Sequence, residues 1–267
     1  MIYNSIGSIS TEWAGKPYVA IRETAEANGS LLVVPVGSIE QHGHHLPVAT
    51  DTILADAVVH GGCKRVEEDI PILVTPPVWI GFSPHHLPFG GTLSLEFEHL
   101  KSVLEGIALT AVDNGFDAVC FVNGHGGNAS LINAVVSTVG RSTDSEVLGM
   151  TYFSLATDEI ESLRESGRGG MAHGGEYETS LMLYLRPDLV AEREARRGTL
   201  GDEHYEWSDV DLLYGGPLSV YREFNEYSKT GAIGAPELAS TEKGERIYEI
   251  ITTELAALFV AIHEHNV

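Results

Sequence analysis

The chain has 267 residues, 43% of them hydrophobic, and 38 acidic against 16 basic side chains give a net charge of -22. A chain of this size buries roughly three quarters of its unfolded surface, so residues 1–267 are read as one domain with a sizeable core. The charge disfavours nucleic acid and anionic membranes as partners, and no apolar run reaches the roughly 18 residues of a membrane span.

The start, Met1-Ile-Tyr-Asn-Ser5, lacks the basic-then-apolar order of a signal peptide. Lysine occurs only at Lys16, Lys64, Lys101, Lys229 and Lys243. A solvated acidic surface accounts for the charge, and its sharper form is adaptation to high salt, where screening removes self-repulsion. Cys63 and Cys120 make no disulfide framework. Cys120 sits in the apolar run Ala118–Val122, as a core thiol in a reducing cytoplasm would.

In chain order, Leu31 to Val36 reads as a buried strand, and Asp51 to Glu67 as a helix capped by Thr50 or Asp51. Pro71 to Val78 reads as a second strand and Ser94 to Asn114 as a long helix. Asp117 to Asn123 is a third strand, followed by a helix from Asn128 to Arg141 that is entered through glycines. Glu146 to Phe153 is a fourth strand, Tyr177 to Leu185 a helix stopped by Pro187, and Thr241 to His265 the final helix. Residues 198–237, rich in Gly and Tyr, are expected to be an irregular surface excursion, with a lid or an oligomer contact as alternatives. Alternating strands and helices give an α/β fold with parallel pairing and both sheet faces covered. In such a fold chemistry sits at the carboxyl ends of strands.

Four segments carry reactive residues, each following a strand or entering a helix. The first is Val36-Gly-Ser-Ile-Glu-Gln-His-Gly-His-His-Leu-Pro-Val-Ala-Thr-Asp51. Glu40 and His42, two apart at a strand end, point the same way, and Asp51 at a helix start could bridge two ions. His, Asp and Glu together suit Zn, Mn or Fe; the alternative leaves Asp51 a plain cap. His44 and His45 share the loop, and one of them is expected to support a ligand or line the pocket. The second, Asn123-Gly-His-Gly-Gly-Asn128, carries His125 after a strand, and Gly126 and Gly127 allow a substrate to approach the backbone closely. A phosphate cradle is the rival reading, disfavoured by the spacing and by the lack of a Lys. The third, Met171-Ala-His-Gly-Gly-Glu-Tyr-Glu-Thr-Ser180, offers His173, Glu176 and Glu178, with Thr179 and Ser180 beside Glu178 as supports. In the fourth, Gly81 to Thr92, Ser83, His85 and His86 are candidate substrate contacts on a stiff aromatic loop. Together they suggest two divalent ions with a bridging hydroxide that attacks a carbonyl. His173 or a carboxylate would protonate the leaving nitrogen.

In the order Gly-Ser-Ile-Glu40-Gln-His42-Gly, Leu-Pro, Asp51, Asn-Gly-His125-Gly-Gly-Asn, His173-Gly-Gly and Glu178-Thr-Ser, the chain resembles the creatininase family from about residue 30 to 190. That resemblance implies a three-layer α/β/α fold with a mainly parallel sheet, a two-metal site and hydrolysis of a C–N bond outside ordinary peptides, often by a homohexamer. It implies that Glu40 and His42 bind one ion each, that Asp51 bridges, that His125 binds on the Glu40 side and that His173 is the catalytic histidine. Creatinine hydrolases carry a Glu ligand where this chain has Gly127, so Glu178, or else Glu176, is expected to fill the place. They also carry a Trp-Asp pair where this chain has Gly169-Gly170, which separates the chemistry from creatinine itself. Alternative functions are a formamidopyrimidine deformylase of flavin or deazaflavin biosynthesis and a mycofactocin-precursor peptidase. From another class come a non-catalytic metal- or ligand-binding protein and a phosphate-handling enzyme.

Overall fold

A computed structural model describes residues 9–195, 197–198, 205–208 and 210–267. The first residues, on which the signal-peptide reading rests, and part of the 198–237 stretch lie outside the described residues.

Four strands, β1 (Leu31–Val36), β2 (Ile72–Val74), β3 (Ala118–Asn123) and β4 (Glu146–Thr151), form a sheet in the order β2-β1-β3-β4. Every pairing is parallel, with Leu31 opposite both Ile72 and Ala118 and Ala118 opposite Glu146. All residues of β1 and β3 are buried, as central strands covered on both faces must be. Alternate side chains divide between two cores. Leu31, Val33, Cys120 and Val122 pack with α2 (Thr50–Lys64), α6 (Glu176–Leu185) and α8 (Thr241–His265). Leu32, Val34, Val36, Val119 and Phe121 pack with α1 (Tyr18–Ala25), α3 (Phe97–Asp113) and α4 (Ala129–Gly140). The result is the expected three-layer α/β/α arrangement. Two short helices are α5 (Thr157–Glu161), whose buried Ile160 joins the core beside α8, and α7 (Phe224–Tyr227).

Several boundaries differ from the sequence reading for local reasons. β2 stops at Val74 because Pro76 and Pro77 have no N–H for a ladder, and Val78 rejoins by a single bridge to Val36. Pro35 is tolerated in β1 because its carbonyl accepts from Val78 N (2.9 Å), so its missing N–H faces the side where β2 has ended. α2 begins at Thr50 with Ala49 as its uncapped preceding residue. Neither Thr50 nor Asp51 caps it; Thr50 donates to Pro47 O (2.7 Å), and Asp51 lies in the first turn with its carboxylate free for other use. α1, which buries Ile21 and Ala25 four residues apart, lies outside the elements read from the sequence.

Candidate metal centre

The strand ends and two helix starts meet at one point. The loop after β1 brings Glu40 and His42, α2 brings Asp51 in its first turn, the turn after β3 brings His125, and α6 brings Glu178 in its first turn. A helix N-terminus favours a carboxylate. All five are 4% exposed or less, too buried to carry charge without a close counter-charge.

His125 Nδ1 lies 3.1 Å from Glu40 Oε2 and 3.2 Å from Asp51 Oδ2. His42 Nε2 lies 2.9 Å from Asp51 Oδ1 and 3.8 Å from Glu178 Oε1. Asp51 therefore turns one oxygen to each histidine. The ligand atoms of Glu40, Asp51 and His125 all fall within 4.8 Å of one another, as do those of His42, Asp51 and Glu178; Glu40, His42 and His173 form a third such set. Both Glu40 oxygens, Asp51 Oδ2 and His42 Nε2 are buried without a hydrogen bond among the described residues. Unsatisfied acceptors aimed at one another are what a divalent cation resolves, and imidazole with carboxylate suits Zn, Mn or Fe.

Hydrogen bonds fix which ring nitrogen faces the centre. His42 Nδ1 is 3.1 Å from Glu40 O, a pure acceptor, so Nδ1 carries a proton and Nε2 is the nitrogen turned toward the carboxylates. His125 Nε2 is 3.2 Å from Phe82 O and 3.1 Å from Ser83 Oγ, which leaves Nδ1 turned to Glu40 and Asp51. Burial lowers the pKa of both rings, yet the carboxylates outweigh it. Glu40 and Asp51 hold His125 up at about 10, and Asp51 with Glu178 holds His42 well above the usual range. Burial would raise Glu40, but His125 and His86 hold it low. The same field that retains protons on these rings would attract a cation.

Around this centre stand more rings. His173 Nε2 donates to Gln41 O (2.6 Å), so Nδ1 faces Glu40 Oε1 at 3.6 Å. Burial, then His42, pushes the His173 pKa well down and keeps the ring neutral. His86 Nε2 lies 3.2 Å from Glu40 Oε1, and its Nδ1 accepts from the Gln41 amide (2.7 Å). His85 stacks on His125 (5.7 Å between centroids), and burial lowers its pKa to about 4. Phe224 of α7 covers His86 at 4.2 Å and His173 at 4.8 Å. Gln41 Nε2 donates to Gly231 O (2.9 Å), and Ile233 N donates to His173 O (2.7 Å). Residues 224–233 thus roof the centre, and the expected surface excursion is corrected there. Their apolar residues, Phe224, Tyr227, Ala232 and Ile233, follow neither a helical nor a strand period. Gln41 was also missed, although it stands between two proposed ligands.

Other candidates fall outside the ligand sets. Ser83 is buried behind His125, with its hydroxyl bonded to Ser38 and His125. Gly126 is exposed and Gly127 lies against His125. His45 is bonded to Thr179 (3.0 Å), while His44 is exposed. Glu176 is taken by Lys243 and by the Glu165 and Ser166 amides, which leaves Glu178 as the α6 carboxylate at the centre. Glu178 Oε2 accepts from Gly174 N (2.6 Å). The expected supports turn elsewhere: Thr179 serves His45 and Ser180 donates to Glu176 O.

The Creatininase family model, described as creatinine amidohydrolase, matches residues 18–259. The chain belongs to the creatininase family. The creatinine amidohydrolase of Pseudomonas putida is 30% identical over 254 residues, 86% of this chain and 88% of that one. The mycofactocin precursor peptide peptidase of Mycobacterium tuberculosis is 33% identical over 244 residues, 81% of this chain and 79% of that one. A solved creatininase aligns with a TM-score of 0.79 at 26% identity over 96% of this chain and 98% of its own. Another, described with Mn, gives 0.77 at 27% identity over 96% and 99%, and a variant is described as of Zn–Zn type. As a creatininase-family member, the chain is related to hydrolases that act on amide bonds.

Proposed function

We propose that this protein is a metal-dependent amidohydrolase that cleaves an amide or cyclic-amide C–N bond of a small molecule. The observation that carries the reading is Asp51, which offers one oxygen to each of two buried ligand sets. Glu40 and His125 would hold one divalent ion, His42 and Glu178 the other, with Asp51 shared. Such a pair supplies Lewis acidity toward a carbonyl oxygen and makes water nucleophilic near neutral pH. His173 is assigned proton transfer: its Nε2–H is tied to the Gln41 carbonyl, and its free Nδ1 can accept a proton and deliver it to the leaving nitrogen. Glu178, anchored by the Gly174 amide, holds its other oxygen toward His42. His85 and His86, packed against Phe224, are assigned the wall against which a small planar acyl group would lie.

Gly127 and Gly169-Gly170 point away from creatinine itself. The 33% identity with mycofactocin precursor peptidases favours a short peptide as a second substrate class, and a formamidopyrimidine is a third. The same reading takes residues 1–267 as one domain, a homohexamer by family resemblance, working in the cytoplasm. The test is a turnover screen of creatinine, formamidopyrimidines and short peptides with Mn, Zn or Fe supplied. Metal-dependent hydrolysis of one class supports the reading. Tight metal binding without turnover of any class would favour the ligand-binding alternative.

A further inference from the structure

His125 can act as an Nδ1 ligand only if its ring is held with Nε2 turned away from the centre. Three strand ends cooperate to do so. Ser38, after β1, lies with its Oγ 2.5 Å from Ser83 Oγ, after β2, and Ser83 Oγ lies 3.1 Å from His125 Nε2, after β3. Both serines are fully buried, so their hydroxyls have no water to bond instead. The second acceptor, Phe82 O, is itself fixed: Phe82 N donates to Asn128 Oδ1 (2.9 Å), and Asn128 Nδ2 donates to Gly37 O (3.0 Å).

The space beside this ring is equally constrained. A β-carbon at residue 127 would stand 2.3 Å from His125 Nε2 and 2.7 Å from Phe82 O. Neither neighbour yields easily: the first belongs to a ring held at both nitrogens, the second to backbone held by Asn128. At the adjacent Gly126 a β-carbon would meet nothing within 4 Å. Two consecutive glycines therefore differ, and only the second is required by the ring.

We propose that Gly127 and the Ser38–Ser83 hydroxyl pair are positioning elements that hold His125 for the Glu40-side ion. The inference rests on the reading that Glu40, Asp51 and His125 bind a metal. Partners behind a ligand typically carry about 10–100-fold in metal affinity.

The experiment is a chelator-competition titration of the full chain with Zn, with Co(II) absorption as a second readout. Gly127→Ala should weaken one of two ions by at least about tenfold while the other keeps its affinity, and should alter only part of the Co(II) spectrum. Ser83→Ala should weaken the same ion, and Gly126→Ala should bind both as the unsubstituted chain does. A general loosening would weaken both ions together. Unchanged affinity in Gly127→Ala and Ser83→Ala, or equal loss of both ions, overturns the proposal. An unsubstituted chain that binds no ion overturns the metal reading as well, which separates the two failures.

Discussion

Asp51 holds the two halves of the centre together. It is buried in the first turn of α2, has no capping duty, and faces His42 with one oxygen and His125 with the other. Burial and the nearby Glu40 raise its pKa against the pull of His42 and His125, so a cation held there would favour its ionised form. Asp51→Asn keeps the shape and removes that charge. It should lower metal affinity and turnover by more than the about 10–100-fold expected for a supporting residue, with a folded circular-dichroism spectrum. Turnover within a factor of about two of the unsubstituted chain would deny Asp51 its ligand role. At this scale Glu40, His42, Asp51 and His125 were legible, because ligand residue types follow apolar runs directly. Gln41 and the serine pair were not. Ser38 and Ser83 are 45 residues apart, and nothing local in either segment announces that their hydroxyls meet.

Among the elements, the junction of α6 with α8 supports the centre from behind. Gly244 lets the helices touch, since a β-carbon there would lie 1.9 Å from Ser180 O. Next to it, buried Lys243 pairs with buried Glu176 two residues before Glu178. Burial alone would raise the Glu176 pKa, but Lys243 and the Ser166 and Glu165 amides outweigh it and hold it below the usual value. A carboxylate lowered in the folded state stabilises above its unfolded pKa, and the contribution is lost as pH falls through the folded value. Lys243→Met should thus cost about 3 kcal/mol at neutral pH, the lower end for a broken buried pair. The gap should narrow as pH falls below the ordinary glutamate value of about 4.3, and close only once the lowered Glu176 carboxylate is itself protonated. Urea unfolding at the two pH values checks this; a gap independent of pH would assign the loss to packing. The long apolar strands and α8 could be read from periodicity. The roof at 224–233 could not, because its order comes from Gln41 and from the histidine rings it covers.

At the scale of the whole molecule, the net charge of -22 sets the response to salt. Self-repulsion among exposed carboxylates weakens as the screening length falls from about 10 Å at 0.1 M to about 3 Å at 1 M salt. The melting temperature should therefore rise over that range with KCl, and more than for a protein near neutrality. A flat or falling curve would contradict adaptation of this surface to salt. The three-layer fold was legible from the alternation of apolar runs and helices, since both faces of a parallel sheet must be covered. How the segments after β1, β2 and β3 converge was legible only as a rule about such sheets.

The most direct test of the central claim is metal content measured alongside hydrolysis, on the substrate found by screening, before and after exhaustive chelation. A metal-dependent hydrolase of this kind should hold two divalent ions per chain, lose hydrolysis when both are removed and recover it on adding Mn or Zn. A chelated, metal-free protein that hydrolyses its substrate at the full rate would contradict that claim.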